Sequence, residues 1–108
     1  MQGTRSNNDG GLIDTQVLKQ ILSREFYLAN KHKLTKALFD DEILELYEII
    51  RSAHEKYNSD LTSDSLFALW KAANPVASQS SIQSMQDVIR KIEQEEAFPP
   101  DIAGDLLS

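Results

Sequence analysis

The chain has 108 residues, no cysteine and a net charge of −6. That length fits one domain with a modest core, and its composition of 41% apolar and 26% charged residues excludes a wholly disordered chain. The absence of cysteine excludes a disulfide scaffold and thiolate metal sites, and it is compatible with a reducing cytoplasm. The longest apolar run, the five residues from Leu66 to Trp70, is too short to predict a membrane span.

Charge is distributed unevenly along the chain. Residues 1–39 carry six Lys/Arg against three acids, whereas residues 40–108 carry five against fourteen. Because phosphate neutralisation supplies most non-specific affinity, this acidic chain is a poor candidate for binding DNA on its own. A local basic cluster could touch a phosphate, but we interpret it as a solvated helix face. The cluster comprises Lys31, His32, Lys33 and Lys36.

The chain begins with a segment unlike the rest. Residues 1–11 are polar and rich in Gly and Asn, and they lack the apolar stretch of a signal peptide. We predict a flexible leader there and a single helical domain over residues 12–108. Asp14 or Thr15 can cap a first helix, and Ser23 offers a second cap. Residues 14–34 are therefore predicted to form two short helices or one bent helix.

The clearest amphipathic pattern predicts a helix over about residues 41–57. Asp40 or Asp41 can accept backbone N–H bonds at its start, and Phe39 can pack onto the first turns. The helix presents a wide apolar face, which suggests a central place in a bundle. The stripe on this face consists of Leu46, Ile50, Ala53 and Tyr57.

Three further helices are predicted after turn chemistry at residues 58–60. The first begins at Thr62 or Ser63 and ends at Asn74-Pro75, since a residue before proline avoids the helical region. The second is long, with apolar residues at helical spacing over 82–92, and a short third helix starts at Pro100 or Asp101. No strand pattern is present. The fold class predicted is all-α, a compact bundle of about five or six helices.

The residues that usually carry chemistry do not form recognisable sites. Four glycines, at positions 3, 10, 11 and 104, cannot build a phosphate loop. His32 and His54 are too far apart for a zinc motif, and His54, between charged neighbours, is predicted to lie on the surface. The serines around 78–84 have no base placed to activate them.

An acidic cluster also has an ordinary interpretation. A calcium loop needs alternating ligands around a central glycine, which is absent, so the cluster is predicted to be a negatively charged helix start. Its members are Asp40, Asp41, Glu42 and Glu45. We therefore expect no catalytic residue, no metal ligand and no cofactor, and we expect that the chain is not an enzyme.

Five large side chains are candidates for core or interface positions, with the core favoured for each one singly. They are Tyr47, Tyr57, Phe67, Trp70 and Met85.

The order of these helices resembles the N-terminal domain of DnaB-type replicative DNA helicases, in particular the shorter phage form. The resemblance runs from about residue 12 to the end. Its anchors are Val17-Leu18-x-x-Ile21-Leu22, Leu38-Phe39-Asp40-Asp41, the run Glu45 to Arg51, the helix start Asp60 to Leu66, and the last long helix with the stub from Pro100. The chain departs from the cellular form after Trp70, where Ala72-Ala73-Asn74-Pro75 replaces a glycine-containing turn.

The resemblance implies a non-catalytic collar domain in a bacterial or phage-infected cell. Such domains pair helical hairpins between subunits, stabilise a hexameric ring and dock primase. The ATP-hydrolysing motor is a separate RecA-like domain, so the resemblance implies a domain excised from a longer chain. We expect self-association, a possible contact with primase, little DNA contact and no membrane. The alternative is a free-standing helical adaptor or regulator that binds one protein.

Overall fold

The computed structural model describes residues 12–107, and this part of the chain forms six α-helices and no strand. The predicted all-α bundle of five or six helices is confirmed. The expected flexible leader, residues 1–11, lies outside the described residues. No helix within 12–107 has both the length and the apolar character needed to cross a bilayer. The helices are α1 (Asp14–Ile21), α2 (Arg24–Asn30), α3 (Asp41–Lys56), α4 (Ser63–Ala73), α5 (Gln79–Gln94) and α6 (Pro100–Leu107).

Ser23 separates the first two helices, as its sequence position predicted. Its hydroxyl oxygen accepts a hydrogen bond from the backbone N–H of Phe26 at 3.3 Å, which caps α2. The predicted caps of α1 are wrong, because Asp14 and Thr15 lie within the helix and the capping position is Ile13. The buried Thr15 hydroxyl instead donates to the Glu95 carboxylate at 2.5 Å and joins α1 to the end of α5.

The start of α3 follows the prediction more closely than its end. The Phe39 ring packs parallel to that of Tyr47, with ring centroids 4.6 Å apart, and so anchors the first two turns. Asp40 occupies the capping position, although its carboxylate makes no capping hydrogen bond. The helix ends at Lys56. Tyr57 has left the helical path and is 43% exposed, so its predicted place on the buried stripe is wrong.

Helices α4 and α5 form a helical hairpin. Thr62 and Ser65 cap the start of α4 reciprocally, with backbone-to-hydroxyl distances of 3.0 Å in both directions. The helix ends at Ala73, before Asn74-Pro75, as predicted. The Ser78 hydroxyl accepts from the N–H of Ser81 at 3.1 Å and caps α5. The hairpin therefore turns within five residues, Asn74 to Ser78.

The core lies where α1, α3, α4 and α5 meet, since α5 packs against α1 and α4, and α3 contacts the same two helices. The backbone N–H of Leu61 donates to the carbonyl of Leu22 at 2.9 Å, which holds the α3–α4 connection against the end of α1. The largest apolar side chains that are fully buried come from all four helices. They are Val17, Leu18, Ile21, Leu46, Ile50, Leu66 and Ile92.

Helix α6 rests on α2 through its small residues. Ala103 and Gly104 are buried there, whereas the large apolar side chain of Ile102 is 51% exposed. A Cβ atom at position 104 would lie 3.2 Å from Oδ1 of Asn30, so the close approach favours glycine. Lys33, which follows α2, also binds α6, because its ammonium group donates to the carbonyl of Gly104 at 2.9 Å.

His54 is buried, so the predicted surface position is wrong. Its ring is 2% exposed and stacks on Tyr27, with centroids 4.7 Å apart. Nε2 donates to the Ile21 carbonyl at 2.6 Å, whereas Nδ1 has no partner among the described residues. The flanking charges suggested exposure, but position 54 falls beside Ala53 on the side of α3 that faces α1. Burial lowers the pKa of His54, although the hydrogen bond to the Ile21 carbonyl raises it in part, and the positive charge of Arg24 adds to the lowering.

The core assignment makes a mutational prediction at Ile50. An Ile50→Asp substitution places a carboxylate in a fully buried site, a cost comparable to the whole stability of a domain of this size. We expect loss of the cooperative thermal transition measured by far-UV circular dichroism. Ile50→Val should retain folding with a loss of about 1 kcal/mol. Ser52→Asp, at an exposed position of the same helix, is the control. A normal melt for Ile50→Asp would contradict this core.

His54 predicts a pH dependence of stability. The unfolded state takes up a proton near the ordinary histidine pKa of 6.5, whereas the native state resists protonation until a lower pH. The unfolded state thus binds more protons in this window, so the free energy of unfolding falls as pH decreases below about 6.5. The slope from one proton is at most about 1.4 kcal/mol per pH unit. The loss levels off below the native pKa.

Urea titrations between pH 7.5 and 5 would measure this slope. His54→Gln should flatten it, because glutamine can still donate to the Ile21 carbonyl but does not titrate. His32→Gln is the matched control, since His32 is exposed, and it should keep the wild-type slope. Glu48 does not contribute to the slope between pH 7.5 and 5, because its hydrogen bond with Arg51 lowers the pKa of its carboxyl below 4.5. An unchanged slope in His54→Gln would refute the assignment.

Candidate interaction surface

A groove opens between the start of α3 and the α4–α5 hairpin. Its volume is about 560 Å³, within the range of protein sites that hold side chains or small ligands. We call it the hairpin groove. Its lining residues are Asp41, Glu42, Glu45, Trp70, Asn74, Ala77, Ser80, Ser81, Ser84 and Met85.

One wall of the hairpin groove is negatively charged. Asp41 and Glu42 lie in the first turn of α3, where carboxylates stabilise the positive end of the helix dipole. Both are exposed, and neither forms an ion pair within residues 12–107. Glu45 follows one turn later and accepts a hydrogen bond from the side-chain amide of Asn74 at 3.1 Å. The wall therefore offers carboxylates to a cation from outside the domain.

The opposite wall carries hydroxyl groups from the first turns of α5. Ser80, Ser81 and Ser84 are exposed, and Ser80 and Ser81 are in hydrogen-bonding distance of the capping Ser78 hydroxyl. Hydroxyls can both donate and accept, so this wall tolerates either type of polar partner. No lysine or arginine lines the groove.

The floor of the groove is apolar. Trp70 and Met85 are 4% and 3% exposed, and the Phe67 ring stacks beside Trp70 with centroids 6.3 Å apart. The indole N–H of Trp70 is buried and has no acceptor within the described chain. An unpaired buried donor costs about 1–3 kcal/mol, so this N–H lowers the stability of the fold locally. Asn74 fixes the floor by donating to the Trp70 carbonyl at 3.0 Å.

The tip of the hairpin projects an apolar side chain beside this groove. Val76 is 94% exposed, far more than the other large apolar residues that reach the surface. It stands in the turn between Asn74 and Ala77, both of which line the groove. Its position places an exposed apolar side chain beside an acidic groove at one end of the bundle.

The five candidate residues fall into three groups. Trp70 and Met85 come together in the floor of the hairpin groove, and Phe67 packs next to Trp70 while remaining half-buried. Tyr47 is buried against Phe39. Tyr57 is exposed at the end of α3, where its backbone carbonyl accepts from Arg24 at 2.7 Å.

The acids and the serines of the groove are each recognisable in the sequence, but the sequence does not indicate that they line one groove. It predicts the acids to be a helix start, which they are, and the serines to be unactivated. The missing information was that α5 returns antiparallel to α4 and brings residues 80–85 opposite residues 41–45. A tryptophan one turn before a helix-ending Asn-Pro, next to the hairpin turn, was the available signal.

Two further clefts of the described chain are smaller than the hairpin groove. One cleft of about 360 Å³ lies between the end of α1 and the start of α4, where Lys19 and Asp60 line it. Among residues 12–107, no three His, Asp or Glu side chains converge as a metal site requires. A second cleft of about 330 Å³ lies between α2 and α6, where Lys33 binds the Gly104 carbonyl. This cleft belongs to the surface on which α6 packs against α2.

A scan of protein-family models found no family that matches this chain. Searches of curated proteins and of solved structures likewise found no similar protein.

Proposed function

We propose that this chain is the non-catalytic N-terminal domain of a DnaB-type replicative DNA helicase, where it mediates subunit association and docks primase or another partner. The observation that carries the proposal is the α4–α5 hairpin with Val76 exposed at its tip. Collar domains of that class associate through helical hairpins. Pairing of two hairpins would cover Val76 and bring the neighbouring subunit close to the exposed Asp41 and Glu42.

The helix order supports the same proposal. The anchors quoted for the resemblance occupy the structural positions that a helical domain requires of them. Leu18 and Ile21 of α1 are core residues, Phe39 anchors the start of α3, and Thr62 begins the hairpin. In this proposal ATP hydrolysis belongs to a RecA-like motor encoded after this domain, and the present chain contributes surfaces alone.

Val76 provides a test of self-association. Because its side chain is 94% exposed, Val76→Ser should leave the thermal melt unchanged while weakening association of the chain. We expect about a tenfold increase in the dimer dissociation constant measured by sedimentation equilibrium, as for an apolar interface anchor. Leu28→Ser, at another exposed apolar residue on α2, is the matched control and should behave as wild type. Equal association of both variants and wild type would argue against the hairpin tip.

The coding sequence tests the larger claim. Reading the gene beyond codon 108 should reveal Gly-x-x-x-x-Gly-Lys-Ser/Thr, the phosphate loop of a motor domain. A stop codon at that point would instead favour the free-standing adaptor or regulator.

A further inference from the structure

The charge of the hairpin groove has a counterpart on the same chain. The basic cluster, Lys31 to Lys36, forms two short 3₁₀ turns between α2 and α3. The side chains of Lys31 and His32 are exposed and make no hydrogen bond or ion pair within residues 12–107. Each copy of the domain thus carries an acidic groove and a basic segment. In that segment Lys31 has no internal partner, whereas Lys33 binds the Gly104 carbonyl and Lys36 pairs with Glu48 at the surface.

We propose that the hairpin groove of one copy receives the basic cluster of a second copy, and that the contact is reciprocal about a two-fold axis. This rests on the proposed self-association and names the surface for it. Reciprocity is expected in a two-fold dimer, since a residue pair formed in one direction is repeated in the other. One dimer would therefore contain two groove–segment contacts.

The position of the two surfaces makes this reciprocity possible. Lys36 precedes Asp41 by five residues, and its ammonium group lies 3.4 Å from the carboxylate of Glu48 on α3. Lys36, the last residue of the basic cluster, therefore lies beside α3, the helix whose first turns supply the acidic wall. Because the cluster ends next to that helix, a two-fold axis near the start of α3 can bring each segment to the opposing groove.

The distribution of charge favours this partner. With a net charge of −6, two copies repel each other in most orientations. The residues before position 40 carry a balance of +3, and those from 40 onward carry −9. An orientation that sets the basic cluster of one copy against the groove of the other replaces this repulsion with attraction. Charge complementarity of this kind selects the orientation of encounter.

The serine wall gives the contact polar partners besides charge. The exposed hydroxyls of Ser80, Ser81 and Ser84 can donate to backbone carbonyls of the inserted segment and accept from its N–H groups. The lysine ammonium groups would then face the Asp41 and Glu42 carboxylates. A cation close to the Trp70 ring would gain further from its π system.

Charge reversal in both surfaces tests the contact. The groove variant is Asp41→Lys with Glu42→Lys, and the segment variant is Lys31→Glu with His32→Glu. Each alone should raise the dimer dissociation constant about tenfold or more in sedimentation equilibrium, as for broken interfacial charge pairs. An equimolar mixture of the two variants should associate nearly as well as wild type, because both reciprocal contacts then pair opposite charges.

Matched controls change the same charge elsewhere. Asp64→Lys with Glu96→Lys adds as many positive charges as the groove variant, and Lys91→Glu with Gln94→Glu adds as many negative charges as the segment variant. All four positions are exposed, so thermal melts should stay near that of wild type. Neither control should lose wild-type association, nor should mixing them produce a new complex. Trp70 is the single tryptophan, so its emission should change on dilution of wild type but not of the groove variant.

The outcomes separate this inference from the proposed function. If both charge variants associate like wild type, or if the mixture fails to recover association, the groove–segment contact is wrong. Loss of association in Val76→Ser alone would then leave the hairpin, and the proposed function, standing. Conversely, the mixture could recover association while a stop codon is found at position 109. That result would support the groove–segment contact and contradict the proposed helicase function. A wild-type chain that stays monomeric at millimolar concentration overturns the contact and the self-association it rests on.

Discussion

The structure depends on burying the inner face of α3. Leu46 and Ile50 are fully buried between α1 and α4, and each such side chain contributes about 1.5–3 kcal/mol when removed from water. Neither α1 nor α2 exceeds eight residues, a length that is marginal for an isolated helix. Their helical state therefore comes from tertiary packing. Helix α1 lies against α3 and α5, and α2 lies against α1 and α6 and touches α3 where Tyr27 stacks on His54.

Polar side chains then fix how the other elements close around this core. The Arg24 guanidinium donates to the carbonyls of His54 and Tyr57, at the end of α3, where helical carbonyls lack internal partners. The Gln20 side chain accepts from the N–H of Phe98 at 2.5 Å, and Thr15 binds Glu95. These contacts set the direction in which the chain leaves α5, and so they decide where α6 can dock.

The sequence predicted much of this fold because most helix boundaries are local events. Ser23, Thr62 and Asn74-Pro75 act through caps and backbone restrictions within a few residues, so their effects can be deduced from neighbours. His54 and Tyr57 could not be placed in this way. Whether position 54 or 57 is covered depends on where α1 crosses α3 and where α3 stops, and both are decided by tertiary contacts.

The candidate surface illustrates the same limit at longer range. Acids at the start of α3 and serines at the start of α5 each have a local explanation, since both are favourable at helix N-termini. The acids and serines face each other across the groove because α5 runs antiparallel to α4. The spacing of residues along the sequence does not predict that arrangement. Two helix starts on one end of a bundle place their positive dipole ends together, and carboxylates there reduce the mutual repulsion. Because three carboxylates exceed what two partial charges can neutralise, the groove keeps a net negative field. That residual field is the physical basis for expecting a cationic segment to bind at this end of the domain.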